Sequence, residues 1–396
     1  GYFDEGMSNS NALEVQCAPI TLRGSYFNGI YEEAKTEGTS YKGIVQKTHF
    51  MVNAVDWLYT KIYADGQLIQ LNTRDDSGRV IDFERILDLR TGVLTRNFSF
   101  ITNNNKTLNL KFKRFLDMND EHKAFQYISA ACSDACIDLV IETGCDFSII
   151  QESSKKKYWN TLRYKSNDRF GAMLAETKTT KQKVFSGFSC ITSPSDAEEY
   201  TAGENTCIRR FKVHLTPGKS FFVEKSIHNY ADKTGDLSEA EIWEKGINTV
   251  IDQKETLQCA QKRQEEYWSG VWERSDIRIF GDDKNQQGIR FCIFQMNQTY
   301  KGLDSSNNIG AKGLTGEAYN GHAFWDTETY CLPFYLYSNP AAAKNLLEFR
   351  YNTLEQAKER AKMLDSKGAC YPVASLNGEE ACNLWQHASL QFQPST

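Results

Sequence analysis

Hydrophobic and polar positions follow two different rhythms along this chain, and the change comes near residue 236. Before it the period is two. Leu108, Leu110 and Phe112 alternate with Asn109, Lys111 and Lys113, which predicts a half-buried strand. Segments 57–63 and 67–71 flank Asp65-Gly66, the dipeptide of a tight hairpin. Further strands are predicted at 43–52, 124–129, 137–142 and 220–228. Many short strands separated by turn residues predict an antiparallel β-sandwich over residues 1–235.

After residue 236 the period becomes helical. Ser238-Glu-Ala-Glu241 fits a capping box, and Trp243, Ile247, Val250 and Ile251 then recur on one face. Gly246 within that stretch weakens the helix by about 1 kcal/mol relative to Ala. A second stripe runs through Leu257, Ala260, Tyr267, Trp268 and Val271, so residues 236–282 read as a helical linker. From 283 to 396 the helices look more deeply buried. Ile289, Ile293, Met296 and Tyr300 share one face while Phe291 and Phe294 point elsewhere, a pattern that needs neighbours on more than one side. Asn339-Pro340 predicts a capped helix start, Thr353-Leu-Glu-Gln356 another capping box, and Gly368 a helix stop. The fold class is therefore multidomain β plus α.

Composition narrows the function classes. With 396 residues, the chain has room for roughly two or three domains. A net charge of −5 argues against nucleic acid or an anionic membrane as partner, since both select a basic face. No apolar run is long enough to span a bilayer, and the first residues lack the basic start and apolar core of a signal peptide. Eleven cysteines, from Cys17 to Cys382 and without a CxxC pair, predict reduced thiols in a cytoplasmic core, with no metal site.

The most informative stretch is 310–328, Gly-Ala-Lys-Gly-Leu-Thr-Gly-Glu-Ala-Tyr-Asn-Gly-His-Ala-Phe-Trp-Asp-Thr-Glu. Glycines let the backbone turn tightly toward a ligand. Trp325 offers a flat apolar face to a sugar ring, and the Asp326 carboxylate accepts hydrogen bonds from hydroxyls. Taken alone, Trp325 reads first as a core residue and Asp326 first as a helix N-cap for 327–337; the full heptapeptide context reverses the reading of Asp326 to a sugar ligand. His322 on its own reads more readily as a hydrogen-bonded structural histidine than as a catalyst. Glu379 and Glu380, in Asn377-Gly-Glu-Glu380, read as loop residues near a helix start before they read as a catalytic acid. Trp385 and His387 are candidate core or wall residues, and Glu355, Lys358, Glu359 and Lys362 a solvated helix face.

The 310–328 stretch, above all His-Ala-Phe-Trp-Asp-Thr-Glu at 322–328, resembles glycoside hydrolase family 65, the inverting α-glucoside phosphorylases. So do Leu87-Asp-Leu-Arg-Thr-Gly-Val-Leu-Thr-Arg96, Arg114-Phe-Leu-Asp-Met-Asn-Asp120, Phe349-Arg-Tyr-Asn-Thr-Leu354 and Gly368-Ala-Cys-Tyr-Pro372. The resemblance runs from about residue 23 to the end. It implies a super-β-sandwich, a helical linker and the start of an (α/α)6 barrel, incomplete in this chain. It makes Trp325 and Asp326 the residues that grip the non-reducing glucosyl unit, with Lys312, Glu317, Tyr319 and His322 as further candidates to line the pocket.

The family's general acid, a glutamate, and its phosphate-binding loops correspond to nothing in this sequence. The resemblance therefore implies an N-terminal fragment, inactive by itself, of a protein that forms homodimers, uses inorganic phosphate as co-substrate and needs no cofactor. In such chemistry one carboxylic acid protonates the leaving oxygen while phosphate attacks the opposite face of the sugar. Three functions stay open: phosphorolysis of an α-glucoside to β-glucose 1-phosphate, hydrolysis by an inverting α-glucosidase of the same architecture, and saccharide binding without turnover. The segment 375–387 leans toward kojibiose, nigerose or glucosylglycerol as substrate. An incomplete barrel would also expose a large apolar patch.

Overall fold

The alternation at Leu108, Leu110 and Phe112 reappears in space as strand β7 (Thr107–Leu116), whose three apolar side chains are buried between two sheets. A computed structural model of the chain describes residues 24–36, 43–71, 78–253, 255–383 and 386–395. Cys17, Trp385 and the side chain of His387 lie outside what is described.

Among the described residues all strand pairings are antiparallel. A two-stranded ribbon joins β1 (Tyr31–Lys35) to β2 (Lys47–Met51). The larger sheet has eight strands in the order β10-β11-β12-β15-β8-β7-β6-β5. One meander, β5 (Arg79–Asp88), β6 (Val93–Ile101), β7 and β8 (Lys123–Cys132), supplies one half of it. A second meander, β10 (Trp159–Ser166), β11 (Gly171–Thr177) and β12 (Lys183–Thr192), supplies the other, and β15 (Ser220–Asp232) joins them. The smaller sheet runs β13 (Ala197–Ala202), β14 (Thr206–Leu215), β9 (Ile137–Asp146), β3 (Thr60–Ala64) and β4 (Gln67–Leu68). Asp65 and Gly66, both at positive φ, close the hairpin between β3 and β4, as their sequence predicts. Observed strands are generally longer or shorter than the predicted segments. β9 extends to Asp146, whereas the segment 43–52 pairs only from Lys47. Pairing partners, invisible in the local pattern, set those ends.

Phe98, Leu108, Phe112 and Ile128 from the large sheet interlock with Ile62, Leu139, Ile141 and Phe211 from the small one. β11 is buried on both faces, and its period of two explains how. Met173 and Ala175 enter the core between the sheets, while Ala172 and Leu174 point outward. The first helix, α1 (Glu239–Ile251), covers that outward face with Ile242 and Val250. Its capping box at Ser238 and Glu241 is formed as the sequence predicts. Gly246 has a reason that propensity did not reveal: a Cβ there would stand 2.5 Å from the Phe185 ring, so only glycine lets the helix approach the sheet this closely.

Helix α2 (Leu257–Ser275) continues over the large sheet, where Leu257 and Ala260 pack on Val93, Phe115 and Phe125, and buries Leu257, Ala260, Gln264, Trp268 and Val271. Trp268 stacks on Phe294 of α3 (Asp283–Thr299), with ring centroids 4.5 Å apart, and so carries the packing from sheet to helices. α3 is less enclosed than its pattern predicts. It buries Ile293 and Phe294, with α2 and Met118 over Phe294 and the Tyr335 hydroxyl donating to the Met296 carbonyl at 2.7 Å near its end, while Phe291 stays exposed. After a long loop come α4 (Leu332–Ser338), α5 (Pro340–Asn352) and α6 (Leu354–Met363). Asn339 caps α5 through its side chain, as predicted, at 3.3 Å from the Ala342 N–H.

Two predicted helix signals are corrected. Thr353 forms no capping box, because it also ends α5 and its hydroxyl donates back to the Phe349 carbonyl at 3.0 Å. Gly368 does not stop α6: Asp365 takes the left-handed position earlier, and the Ser366 N–H closes the end on the Ala361 carbonyl at 2.9 Å. Tyr330, Leu336, Tyr337, Leu347 and Tyr351 are exposed around α4 and α5. Among the described residues no helix is long and apolar enough to cross a membrane. The ten described cysteines are all free, but Cys136, Cys259 and Cys292 are exposed and so are not core thiols.

Candidate functional site

The glycine-rich loop forms its site by leaning on the β-sheets. Tyr319, Asn320 and Gly321 have successive φ values of 58°, 55° and 72°, a run of left-handed residues that reverses the chain sharply. The two non-glycine members each carry about 1 kcal/mol of strain, which the surroundings must offset. Gly321 permits it, since a Cβ there would lie 2.5 Å from the Met51 side chain of β2. The Ala311 N–H donates to the His322 carbonyl at 2.9 Å, closing the loop on itself. Ala323 then exchanges two backbone hydrogen bonds with Ser375, at 2.9 and 3.1 Å.

Trp325 and Asp326 follow immediately. A π-helical turn at Thr327–Cys331 precedes α4, and wide turns of this kind commonly mark functional positions. The buried Thr327 hydroxyl fixes its start by donating to the Ile309 carbonyl at 3.0 Å. Asp326 is exposed and its side chain makes no capping bond, so the N-cap alternative is not realised. Trp325 is half-buried beside Tyr330, with ring centroids 6.2 Å apart. Neither side chain is locked in an apolar interior. Glu328, by contrast, is committed: Arg350 grips it in two bonds of 2.8 and 3.0 Å, and Asn308 donates to it at 3.1 Å.

The other four candidates divide into two pairs. Lys312 and Tyr319 are exposed, with the ammonium 5.7 Å from the centre of the tyrosine ring. Glu317 and His322 instead hold the loop to the sheets. Glu317 accepts from the backbone N–H groups of Glu152 and Ser153, both at 2.8 Å. His322 is buried, and its Nε2–H donates to the His49 carbonyl of β2 at 2.6 Å. Burial pushes its pKa down to about 4, only partly opposed by the His49 carbonyl, so the ring is neutral.

Two groups carry more than the sequence reading gave them. Arg350 lay in a quoted motif without a role, yet it joins α5 to the Trp325 turn. His49 carries no signal at all, being 273 positions from His322. Its ring sits buried 3.4 Å from both Glu33 and Glu379. Glu380 is a loop clamp and no helix follows it directly: it accepts from the N–H groups of Val373 at 2.7 Å and Cys382 at 2.9 Å. Burial raises its pKa, with those N–H groups acting against the shift. Among the described residues no cluster of three His, Cys, Asp or Glu could hold a metal ion.

With this geometry in place, comparison with known proteins places the chain. Residues 6–271 match the N-terminal domain of glycosyl hydrolase family 65, and residues 290–393 match that family's central catalytic domain. Maltose phosphorylase of Bacillus subtilis (strain 168) is 30% identical across 98% of this chain and 50% of its own length. The alpha,alpha-trehalose phosphorylase of Thermoanaerobacter brockii is 30% identical, across 94% of this chain and 49% of its own. A solved structure from the human microbiome, described only provisionally as a kojibiose phosphorylase, superposes with a TM-score of 0.90 at 41% identity. That match covers 100% of this chain and 50% of the other. The chain thus spans about half the length of the relatives it matches. Two family domains in sequence, together occupying most of the chain, place this protein in glycosyl hydrolase family 65.

Proposed function

We propose that the full-length protein phosphorolyses an α-glucoside with inversion, releasing β-glucose 1-phosphate and a sugar or polyol acceptor. The observation that carries this reading is the adjacent pair Trp325 and Asp326, a half-buried indole beside an exposed carboxylate without a capping bond. They stand at the head of a π-helical turn inside the segment that matches the catalytic domain. The indole takes the C–H face of the glucosyl ring and the carboxylate takes its hydroxyls. Exposed Lys312 and Tyr319 reach the bound sugar from the loop, while Glu317 and His322 hold that loop in position.

Glu317, Glu328 and Glu380 are each committed to backbone or ion-pair bonds. None is free to act as the proton donor. This reading puts the general-acid glutamate and the phosphate-binding loops outside residues 1–396, in the remainder of an (α/α)6 barrel that α3 to α6 begin.

The relatives named above are phosphorylases, which favours phosphate over water as the nucleophile. The test is turnover of a panel of α-linked glucobioses by the full-length protein, with and without inorganic phosphate. Phosphate-dependent formation of β-glucose 1-phosphate is expected. Glucose release that ignores phosphate would make it a hydrolase, and saccharide binding without turnover would make it a binding protein.

A further inference from the structure

One side chain holds the Trp325–Asp326 dipeptide from both ends, and it comes from outside the loop. Arg350 projects from α5 and reaches the residue before Trp325 as well as the turn after Asp326. Its Nη2–H groups donate to the Phe324 carbonyl at 3.4 Å and to Glu328 Oε2 at 3.0 Å, and its Nε–H donates to Glu328 Oε1 at 2.8 Å. We propose that Arg350 is a positioning residue, which sets through Glu328 the direction in which the Asp326 carboxylate meets the glucosyl unit. This inference rests on the reading of Asp326 as a sugar ligand.

Three observations favour that role. First, Asp326 already has helical backbone angles, φ −55° and ψ −31°, so it and Glu328 belong to one turn. Two helical positions amount to about 200° of rotation, which puts the two carboxylates on opposite sides of that turn. With Glu328 clamped toward α5, Asp326 faces away from α5 and is exposed. Second, the clamp is two-pronged and shielded. The side chains of Arg350 and Glu328 are 12% and 24% exposed, so solvent screens the pair little, and two parallel bonds fix an angle as well as a distance. Asn308 donates to the same Glu328 Oε1 at 3.1 Å, and the Thr327 hydroxyl ties the turn to the Ile309 carbonyl at 3.0 Å. Third, the anchor is packed in place. Ala342, Ala343 and Leu346 of α5 are buried with Tyr300, Ile309 and Tyr335. The Arg350 Nη1 is nonetheless buried without a hydrogen-bond partner in the protein. An apolar pair at these positions would avoid that cost, so what the ion pair adds is the orientation of the turn.

The experiment is a double-mutant cycle on the full-length protein, read as kcat/KM for the α-glucobiose it turns over best with inorganic phosphate present. Arg350→Lys keeps the charge but cannot make two parallel bonds to a carboxylate, and Glu328→Gln keeps the shape but removes the anion. Each is expected to lower kcat/KM by about tenfold or more, the size expected when a sugar-binding group is displaced by about 1 Å. Each is then placed in the Asp326→Asn background. If Arg350 acts through Asp326, its loss there shrinks to less than about threefold, whereas a residue that only supports the fold costs the same in both backgrounds. Thermal unfolding identifies variants that fail to fold, and Glu328→Gln, which nearly preserves volume, completes the cycle should Arg350→Lys be one of them. Wild-type rates in Arg350→Lys and Glu328→Gln, or equal losses with and without the Asp326 carboxylate, overturn this inference and leave the sugar reading of Asp326 intact. A loss of less than about threefold in Asp326→Asn itself, or no turnover by the wild type, defeats that reading and this inference together.

Discussion

Asp326 and His322 lie four residues apart and behave oppositely. Asp326 is exposed and free of a capping bond, whereas His322 is buried and bonded across to β2. Asp326→Asn keeps the shape but removes the anionic acceptor, so kcat/KM of the full-length protein should fall by about a hundredfold, a typical size for charge-assisted bonds realised at the transition state. A fall of less than threefold would remove Asp326 from the sugar site. His322 makes a prediction about pH. Its folded pKa of about 4 lies below the ordinary value of 6.5, so its contribution to stability is complete above pH 6.5. It is lost as the pH falls toward 4, because the unfolded chain takes up the proton first. The loss amounts to about 3 kcal/mol by pH 4. Urea midpoints measured from pH 7 to 4.5 should therefore fall less steeply in His322→Gln than in wild type. His228, which burial also pushes down to about 4, keeps some slope in both. Identical slopes would show that His322 is not the titrating group.

At the scale of elements, local signals succeeded where a motif closes on itself. The Asp65-Gly66 hairpin, the Ser238 box and the Asn339 cap each use residues within a few positions of one another. They failed where one residue serves two elements, as Thr353 does between α5 and α6. Gly246 illustrates a third case. Helix propensity makes it a defect worth about 1 kcal/mol. Packing reverses that sign, since Gly246→Ala would drive a methyl group into the Phe185 ring. We expect the substitution to destabilise by about 1–2 kcal/mol net, overpacking outweighing propensity. Chemical denaturation is the check, and a stabilised variant would mean that α1 moves away from the sheet without penalty.

At the scale of the whole molecule, the strands and the turns between them are the scaffold of the 310–328 loop. Glu317 ties it to Glu152 and Ser153, His322 ties it to β2, and Arg350 fastens the following turn to α5. Glu317→Ala should thus lower kcat/KM about tenfold or more by misplacing the loop, with the thermal midpoint nearly unchanged. Activity equal to wild type would mean that the sheets do not position the site. The sequence by itself determined the β-then-α order, the self-contained turns and caps, and the adjacency of Trp325 and Asp326 after a glycine-rich loop. All of these rest on neighbours in the chain, where periodicity and motif spacing are direct readouts of geometry. Only the tertiary structure decided that Glu317 and His322 clamp the loop and that Gly246 is a contact. Each depends on residues tens to hundreds of positions apart, brought together by burial and not by any local pattern.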